Sequence, residues 1–385
     1  MKILFLSDVY FPRVNGVSTS IETFRHEIEG LGHEVHLIAP DYGTTSENEL
    51  GILRIPARSV PMDPEDRFMS YRAVMAQLHR LHDERYDIIH IQTPFVAHYL
   101  GINLSKRLNI PCVETYHTFF EEYLYHYVPF VPKRLMRHIA KRFSHHQGNS
   151  LDGMVVPSRP MLHVLRSYGV ATPTEVIPTG IEPESFMEGD RAAFREKYGI
   201  AEERPVLLFV GRVAFEKNIG FLLNVLHQVR QHIPDVLFLV AGEGPALKNL
   251  KHDVREMGLQ ESVLFIGYLD RHTELNSCYR AADLFIFASR TETQGLVLLE
   301  AMAQGIPVVS TAELGTRDVL QEGKGVLIAS EELDDFSGKI IRLLNDDDAR
   351  NALGSAGRDY AHTWSATKQA ERMLEFYQNC LSQPG

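Results

Sequence analysis

Gly211-Arg212-Val213-Ala214-Phe215-Glu216-Lys217-Asn218 follows directly on the apolar run Val206 to Val210. Later in the chain comes Glu292-Thr293-Gln294-Gly295, then Leu296 to Leu299 and Glu300. A short apolar run, a glycine turn and an amphipathic stretch make one βα unit, and repeated units build a parallel sheet. In the first stretch two cations sit just past a strand end. In the second, two carboxylates flank a short apolar turn. A diphosphate ester wants positive charge and amide donors, whereas sugar hydroxyls beside it want acceptors. This segment supplies both.

The same alternation covers the whole chain. Strands are expected at Ile3–Leu6, Val35–Ala39, Ile52–Ile55, Ile88–Ile91, Cys112–Thr115, Gly153–Val156 and Glu175–Ile177. A second series is expected at Val206–Val210, Val236–Val240, Val263–Ile266, Leu284–Phe287, Pro307–Ser310 and Val326–Ile328. Proline and glycine punctuate the chain from Pro178-Thr179-Gly180 to Pro183, which marks a domain boundary. At 385 residues the chain is too long for one ordinary core. The expected fold is α/β, with two doubly wound, Rossmann-like domains facing across a cleft. They comprise residues 1–180 and 181–362. Ligands in such sheets bind where strands end at their carboxyl termini.

Composition narrows the function. With 44% hydrophobic and 23% charged residues, the chain reads as an ordinary soluble globular protein. Its three cysteines, Cys112, Cys278 and Cys380, are odd in number and far apart. That implies neither a disulfide framework nor a CxxC metal site and fits a cytoplasmic protein. No apolar segment is long enough for a signal peptide or membrane span. Residues 1–180 hold 18 Lys/Arg against 19 Asp/Glu, and the remainder 21 against 31. Neither half is basic overall, so nucleic acid is not an expected partner.

From Pro132 to His146 the residues Leu135, Met136, Ile139, Ala140 and Phe143 recur at helical spacing and are expected on one face. Lys133, Arg134, Arg137, His138, Lys141, Arg142 and His145 occupy the other, with no acid among them. A core helix with a solvated charged face is the plain reading. A basic face also suits anionic lipid headgroups, each cation contributing on the order of 1 kcal/mol near such a surface.

Arg212 and Lys217 can converge on one diphosphate, the guanidinium as a planar fork and the ammonium as a point charge. Gly295 lets backbone approach a ligand, and the helix starting near Leu296 offers free amides. Glu292 can accept from sugar hydroxyls, and Glu300 can reach a ribose diol. Each also has a plain reading as a turn or helix residue. However, Glu300 lies among Leu298, Leu299, Ala301 and Met302, where an acid needs a partner or a ligand. Asp346-Asp347-Asp348 reads as a helix-start signal rather than a metal site.

These residues, with Ala301-Met302-Ala303-Gln304-Gly305-Ile306-Pro307-Val308-Val309 after the Glu292/Glu300 pair, resemble family 4 of the retaining, nucleotide-sugar-dependent glycosyltransferases of GT-B fold. The likeness extends over nearly the whole chain. Phe11-Pro12-Arg13-Val14-Asn15-Gly16-Val17 resembles the family's glycine loop, although many members have two glycines where this chain has Asn15-Gly16. Ala241-Gly242-Glu243-Gly244-Pro245 resembles a loop near the nucleotide, and Gly267-Tyr268-Leu269 sits where the family lines the base pocket. His117 corresponds by local pattern to the histidine that contacts the transferred sugar. The stretch Glu114 to Tyr123 is similar to the subgroup that glycosylates diacylglycerol.

The resemblance implies an acceptor-binding first domain, a nucleotide-sugar-binding second domain, and a tail, 363–385, that crosses back to the first. It implies a hexosyltransferase using a UDP-sugar, UDP-glucose first and a GDP-sugar second, with no metal or other cofactor. His117, Arg212, Lys217 and Glu292 are then the expected catalytic residues. Gly16, Gly242, Gly267, Tyr268, Leu269, Gln294, Gly295, Leu296 and Glu300 join Arg212 and Lys217 in holding the donor. The expected acceptor is a membrane lipid such as diacylglycerol. The protein is expected as a monomer or weak dimer at the inner face of the plasma membrane, held there by Pro132–His146. A mannosyltransferase on another acceptor, a related epimerase or phosphorylase, and a non-catalytic nucleotide-sugar-binding protein are the alternatives.

Overall fold

In a computed structural model of the chain, the structure describes residues 1–43, 50–60, 63–117, 133–271 and 273–382. The chain divides into two compact units, Met1–Gly180 with Ala366–Gly385, and Ile181–Ser365.

In the first unit the strands are β1 (Lys2–Leu6), β2 (Glu34–Pro40), β3 (Ile52–Ile55), β4 (Ala57–Val60), β5 (Asp63–Met69), β6 (Ile88–Ile91), β7 (Cys112–Thr115), β8 (Gly153–Val156) and β9 (Thr174–Val176). Seven form one sheet in the order β3-β2-β1-β6-β7-β8-β9. Each pairing in it is parallel. The chain winds outward from β1 to β3, then returns to β6 on the other side of β1. The point of reversal is therefore between β1 and β6. Strands such as Ile88–Ile91 are buried throughout, as parallel strands covered on both faces must be. Ala370, Met373, Phe376 and Tyr377 of the carboxyl-terminal helix Ala366–Ser382 join Ile3, Phe5, Val113 and Val155 in this core.

The antiparallel hairpin β4–β5 was not anticipated. Its sequence includes Pro64 with Asp63, Glu65 and Asp66, residue types that strands disfavour. Cross-strand pairing, such as Arg58 opposite Phe68, overrides that preference.

The second unit contains β10 (Val206–Val210), β11 (Leu237–Ala241), β12 (Val263–Gly267), β13 (Leu284–Phe287), β14 (Val308–Ser310) and β15 (Val326–Ile328). Their order is β12-β11-β10-β13-β14-β15, again all parallel. Winding reverses between β10 and β13, where Leu207 pairs with Leu284. Each unit is thus a doubly wound sheet with one reversal point, and ligands bind such sheets at that point, beyond the carboxyl strand ends.

Candidate active site

The loops that leave β10 and β13 carry Arg212, Lys217 and Glu292. After Gly211 the chain makes a 3-10 turn over Phe215–Lys217 and enters the helix Ile219–Arg230 through Asn218, in the left-handed conformation at φ 56°. The Asn218 amide donates to the Ala288 carbonyl at 3.3 Å and to Glu331 Oε1 at 3.2 Å. Lys217 is therefore anchored, through its neighbour, to the loop after β13. Its Nζ donates to Glu292 Oε1 in an ion pair whose side chains are only 19% and 15% exposed. Arg212 Nη1 lies 3.8 Å from Glu216 Oε1. The sequence reading gave Lys217 and Glu292 to different parts of a ligand, and here they hold each other.

Close backbone approach shapes this edge. A Cβ on Gly242 would meet the Gly211 carbonyl oxygen at 1.9 Å, and the Gly242 amide donates to Gly267 O at 2.8 Å. The ends of β10, β11 and β12 therefore form one continuous platform. Gly315 does the same for the loop at 292–295. Its amide donates to Glu292 O at 2.8 Å, and a Cβ there would lie 1.9 Å from Thr293 O. Within that loop Gln294 is buried. Gly295, at φ 93°, caps the helix Leu296–Ala303, whose first amides have no partner inside the helix.

Glu300 is 3% exposed within that helix. Its Oε1 accepts from Arg271 Nη2 at 2.5 Å and its Oε2 from the Tyr279 hydroxyl at 2.8 Å. The buried acid thus has protein partners. Burial opposes charge on Arg271, yet the adjacent Glu300 carboxylate outweighs it and raises the guanidinium above its ordinary value. Burial, reinforced by Glu300, pushes the Tyr279 hydroxyl well up, so it stays a donor. Arg271 lies just past Gly267-Tyr268-Leu269, where Tyr268 is 41% exposed and Leu269 packs partly into the core.

In the first unit Asn15 caps the helix Gly16–Gly30, accepting from the Ser18 amide at 2.9 Å. A Cβ on Gly16 would meet nothing within 4 Å, so packing among the described residues does not demand glycine there. Beyond β7, His117 Nε2 lies 3.1 Å from Gln92 Oε1. Desolvation pushes the imidazole down to about 4; it is neutral at pH 7. An amide oxygen only accepts, so Nε2 carries the proton and Nδ1 the lone pair.

Beneath lies a buried polar layer. His90 bonds Tyr377 Oη at 2.5 Å and Thr115 Oγ1 at 2.7 Å, and burial takes it down to about 3. Asp8 accepts from Thr93 Oγ1 at 2.9 Å and the Ala97 amide at 3.0 Å, while burial pushes it up to about 7. His98 Nδ1 meets Glu114 Oε2 at 2.6 Å, and burial raises that carboxyl.

The basic helix spans Lys133–Gly148, and its buried face differs from the expected one. Met136 and Ala140 are buried, but Leu135 is 51% and Ile139 46% exposed. Ser144 and Gln147 are buried instead, paired with Tyr116 Oη at 3.1 Å and Pro94 O at 2.7 Å. At about 100° per residue, these polar anchors rotate the buried face away from Leu135 and Ile139. Arg137, His138, Lys141, Arg142 and His145 are exposed beside them. The residues Thr118 to Tyr123, Pro132, and the side chains of Lys133 and Arg134 lie outside the described residues. Among those described, no helix is long and apolar enough to cross a membrane. Asp346 caps the helix Asp347–Ala361, accepting from the Ala349 amide at 2.9 Å.

Sequence reasoning missed Gln92, Arg271, Tyr279 and Gly315. Gln92 and Arg271 carried a usable signal, being polar residues just past strands at the ligand-binding edge. Tyr279, inside a helix, carried none.

Residues 14–185 match the family model described as Glycosyltransferase Family 4, and residues 190–360 match Glycosyl transferases group 1. The alpha-monoglucosyldiacylglycerol synthase of Streptococcus pneumoniae is 33% identical over 392 residues, covering 99% of this chain and 86% of that protein. The sulfoquinovosyl transferase of Arabidopsis thaliana is 30% identical over 375 residues, covering 92% of this chain and 69% of its own. Among solved structures, Anabaena HepE in complex with UDP and glucose superimposes with a TM-score of 0.79 at 17% identity, covering 98% of this chain and 100% of its own.

Proposed function

The chain belongs to the family 4 glycosyltransferases, and on that premise we propose that it transfers glucose, with retention, from UDP-glucose to a membrane lipid such as diacylglycerol. The observation that carries this reading is the meeting of Lys217 and Glu292 at the reversal point of the second sheet. A cation and a carboxylate there are the complementary halves of a site for a phosphorylated sugar. The diphosphate rests on Arg212, Lys217 and the amides at Gly295 and Leu296, beside Gln294. Gly242 keeps the platform beside it close. The base lies along Gly267, Tyr268 and Leu269, and the ribose meets Glu300.

As the anomeric bond breaks, negative charge grows on the departing diphosphate. Arg212 and Lys217 contribute most at that moment, which raises turnover rather than affinity alone. Lys217 exchanges part of its bond to Glu292 for phosphate oxygens, and the released Glu292 oxygen accepts from a sugar hydroxyl. Neutral His117, with Nδ1 free of a proton, accepts from a hydroxyl of the transferred hexose. Gly16 leaves room for a ligand at the start of its own helix, since a Cβ there meets nothing within 4 Å. Positive side chains do the phosphate electrostatics without a metal ion.

The lipid acceptor is supported by the diacylglycerol-using relative that spans nearly the whole chain. It is also supported by exposed Leu135 and Ile139 beside a basic helix face, an arrangement suited to the anionic inner surface of the plasma membrane. The protein works there as a cytoplasmic, peripheral monomer or weak dimer.

The test measures nucleotide release from UDP-glucose, UDP-galactose and GDP-mannose, each with and without diacylglycerol vesicles. Diacylglycerol-dependent release of UDP from UDP-glucose, with a glucolipid product, is expected. Dependence on GDP-mannose would reassign the donor, and binding without release would make the protein a sensor.

A further inference from the structure

Glu300 is gripped at both oxygens, and one grip comes from the loop that carries the base-facing residues. Tyr279, 1% exposed, holds Oε2 from within the core. Arg271, whose side chain is 21% exposed, holds Oε1 from the open side. Glu182 adds a second negative charge near the guanidinium. A carboxylate offers about four acceptor positions. Two are used here, which leaves the two that a vicinal diol requires.

We propose that Arg271 is a positioning residue for the ribose, holding the buried Glu300 carboxylate aimed so that its remaining lone pairs receive the ribose hydroxyls. This rests on the ribose reading of Glu300 given above. Without Arg271 a nearly buried carboxylate would lose its counter-ion and the bond that fixes the orientation of Oε1. A carboxylate held by Tyr279 at Oε2 alone can turn its other oxygen away from the ribose. Because Arg271 follows Tyr268 and Leu269 so closely, the same bond ties the base loop to the ribose acid. The nucleoside therefore meets two contacts already fixed relative to each other, which lowers the ordering cost of binding. Arg271 acts through Glu300, so its loss should weaken recognition of the nucleoside far more than it slows the chemical step.

The test compares binding of UDP and 2′-deoxy-UDP by calorimetry to the wild type, Arg271→Gln and Arg271→Lys. Hydrogen bonds to a charged group favour wild-type binding of UDP over the deoxy form by about tenfold or more. In Arg271→Gln that ratio should fall to about threefold or less, chiefly through weaker UDP binding. Arg271→Lys, which keeps the charge but not the fork, should lie between. The donor KM should rise with kcat changed by less than about threefold. A variant that keeps the wild-type ratio overturns the role of Arg271 while leaving Glu300 at the ribose. Equal wild-type affinity for the two nucleotides instead removes Glu300 from the ribose, and this proposal with it. Should Arg271→Gln fail to fold, Arg271→Lys and Tyr279→Phe carry the same comparison, and unchanged ratios in both overturn the proposal.

Discussion

Removing the Lys217 ammonium should damage catalysis in two separable ways, because the structure pairs it with Glu292. Loss of one donor aimed at developing charge costs about 3–4 kcal/mol of transition-state stabilisation, or roughly a hundred- to a thousandfold in kcat. A second penalty follows from the partner left behind. Glu292 is 15% exposed and would face an incoming diphosphate without its own paired cation. Two unit charges about 4 Å apart at an effective dielectric near 20 interact by about 4 kcal/mol, an upper limit on that repulsion. Lys217→Ala should therefore lower kcat and raise the donor KM together. Adding Glu292→Gln should return much of the KM while leaving kcat low. The single variants must be non-additive, since residues in contact commonly couple by about 0.5–3 kcal/mol. Steady-state kinetics with UDP-glucose and diacylglycerol vesicles, on wild type, both single variants and the double, closes the cycle. Near-normal kcat in Lys217→Ala would refute the diphosphate assignment. Strict additivity would refute the claim that the pair works as a unit.

Three further outcomes follow from the geometry. Leu135→Ser with Ile139→Ser, or charge reversal at Arg137, Lys141 and Arg142, should weaken binding to anionic vesicles, the reversals by about 1 kcal/mol or more per site. Donor hydrolysis without lipid should be spared, and unchanged sedimentation with vesicles would exclude this helix as the contact. Gly16→Ala should leave the melting temperature nearly unchanged, having nothing within 4 Å to strike, but should impair transfer; Gly315→Ala must displace Thr293 and should lower both stability and activity. The pH dependence of stability sets two opposing slopes against each other. His90 and His117, lowered to about 3 and about 4, contribute stability above an unfolded value near 6.5 and lose it as the pH falls through their folded values. Asp8, raised to about 7, contributes below its unfolded value near 3.8 and loses that as the pH rises through 7. Asp8→Asn should therefore steepen the gain in thermal stability between pH 4 and 6.5, and an unaltered slope would contradict the burial argument for Asp8.

The strand pattern was legible because parallel strands buried on both faces need uninterrupted apolar runs, and Val206–Val210 or Ile88–Ile91 have no other reading at that length. Two series of such runs, separated at Pro178-Thr179-Gly180, already implied two doubly wound sheets. Residue chemistry past strand ends likewise marked Arg212, Lys217 and Glu292, and an acid among apolar helix neighbours marked Glu300.

Pairing between distant residues was not legible. Nothing in the order of residues says that Lys217 meets Glu292, that Arg271 and Tyr279 share Glu300, or that Gln92 sets the tautomer of His117. Helical periodicity gave five apolar positions between Leu135 and Phe143 but not which of them are buried. That was decided by Ser144 and Gln147 reaching Tyr116 and Pro94 across the fold. The hairpin β4–β5 formed against its local preferences for the same reason. Burial periodicity and turn chemistry are local properties, carried by neighbours along the chain, so the sequence alone determined the two-sheet architecture and which loops carry the candidate residues. Which charges neutralise each other, and which face of a helix is left to solvent, depends on groups that meet only after the chain has folded, and only the tertiary structure decided them.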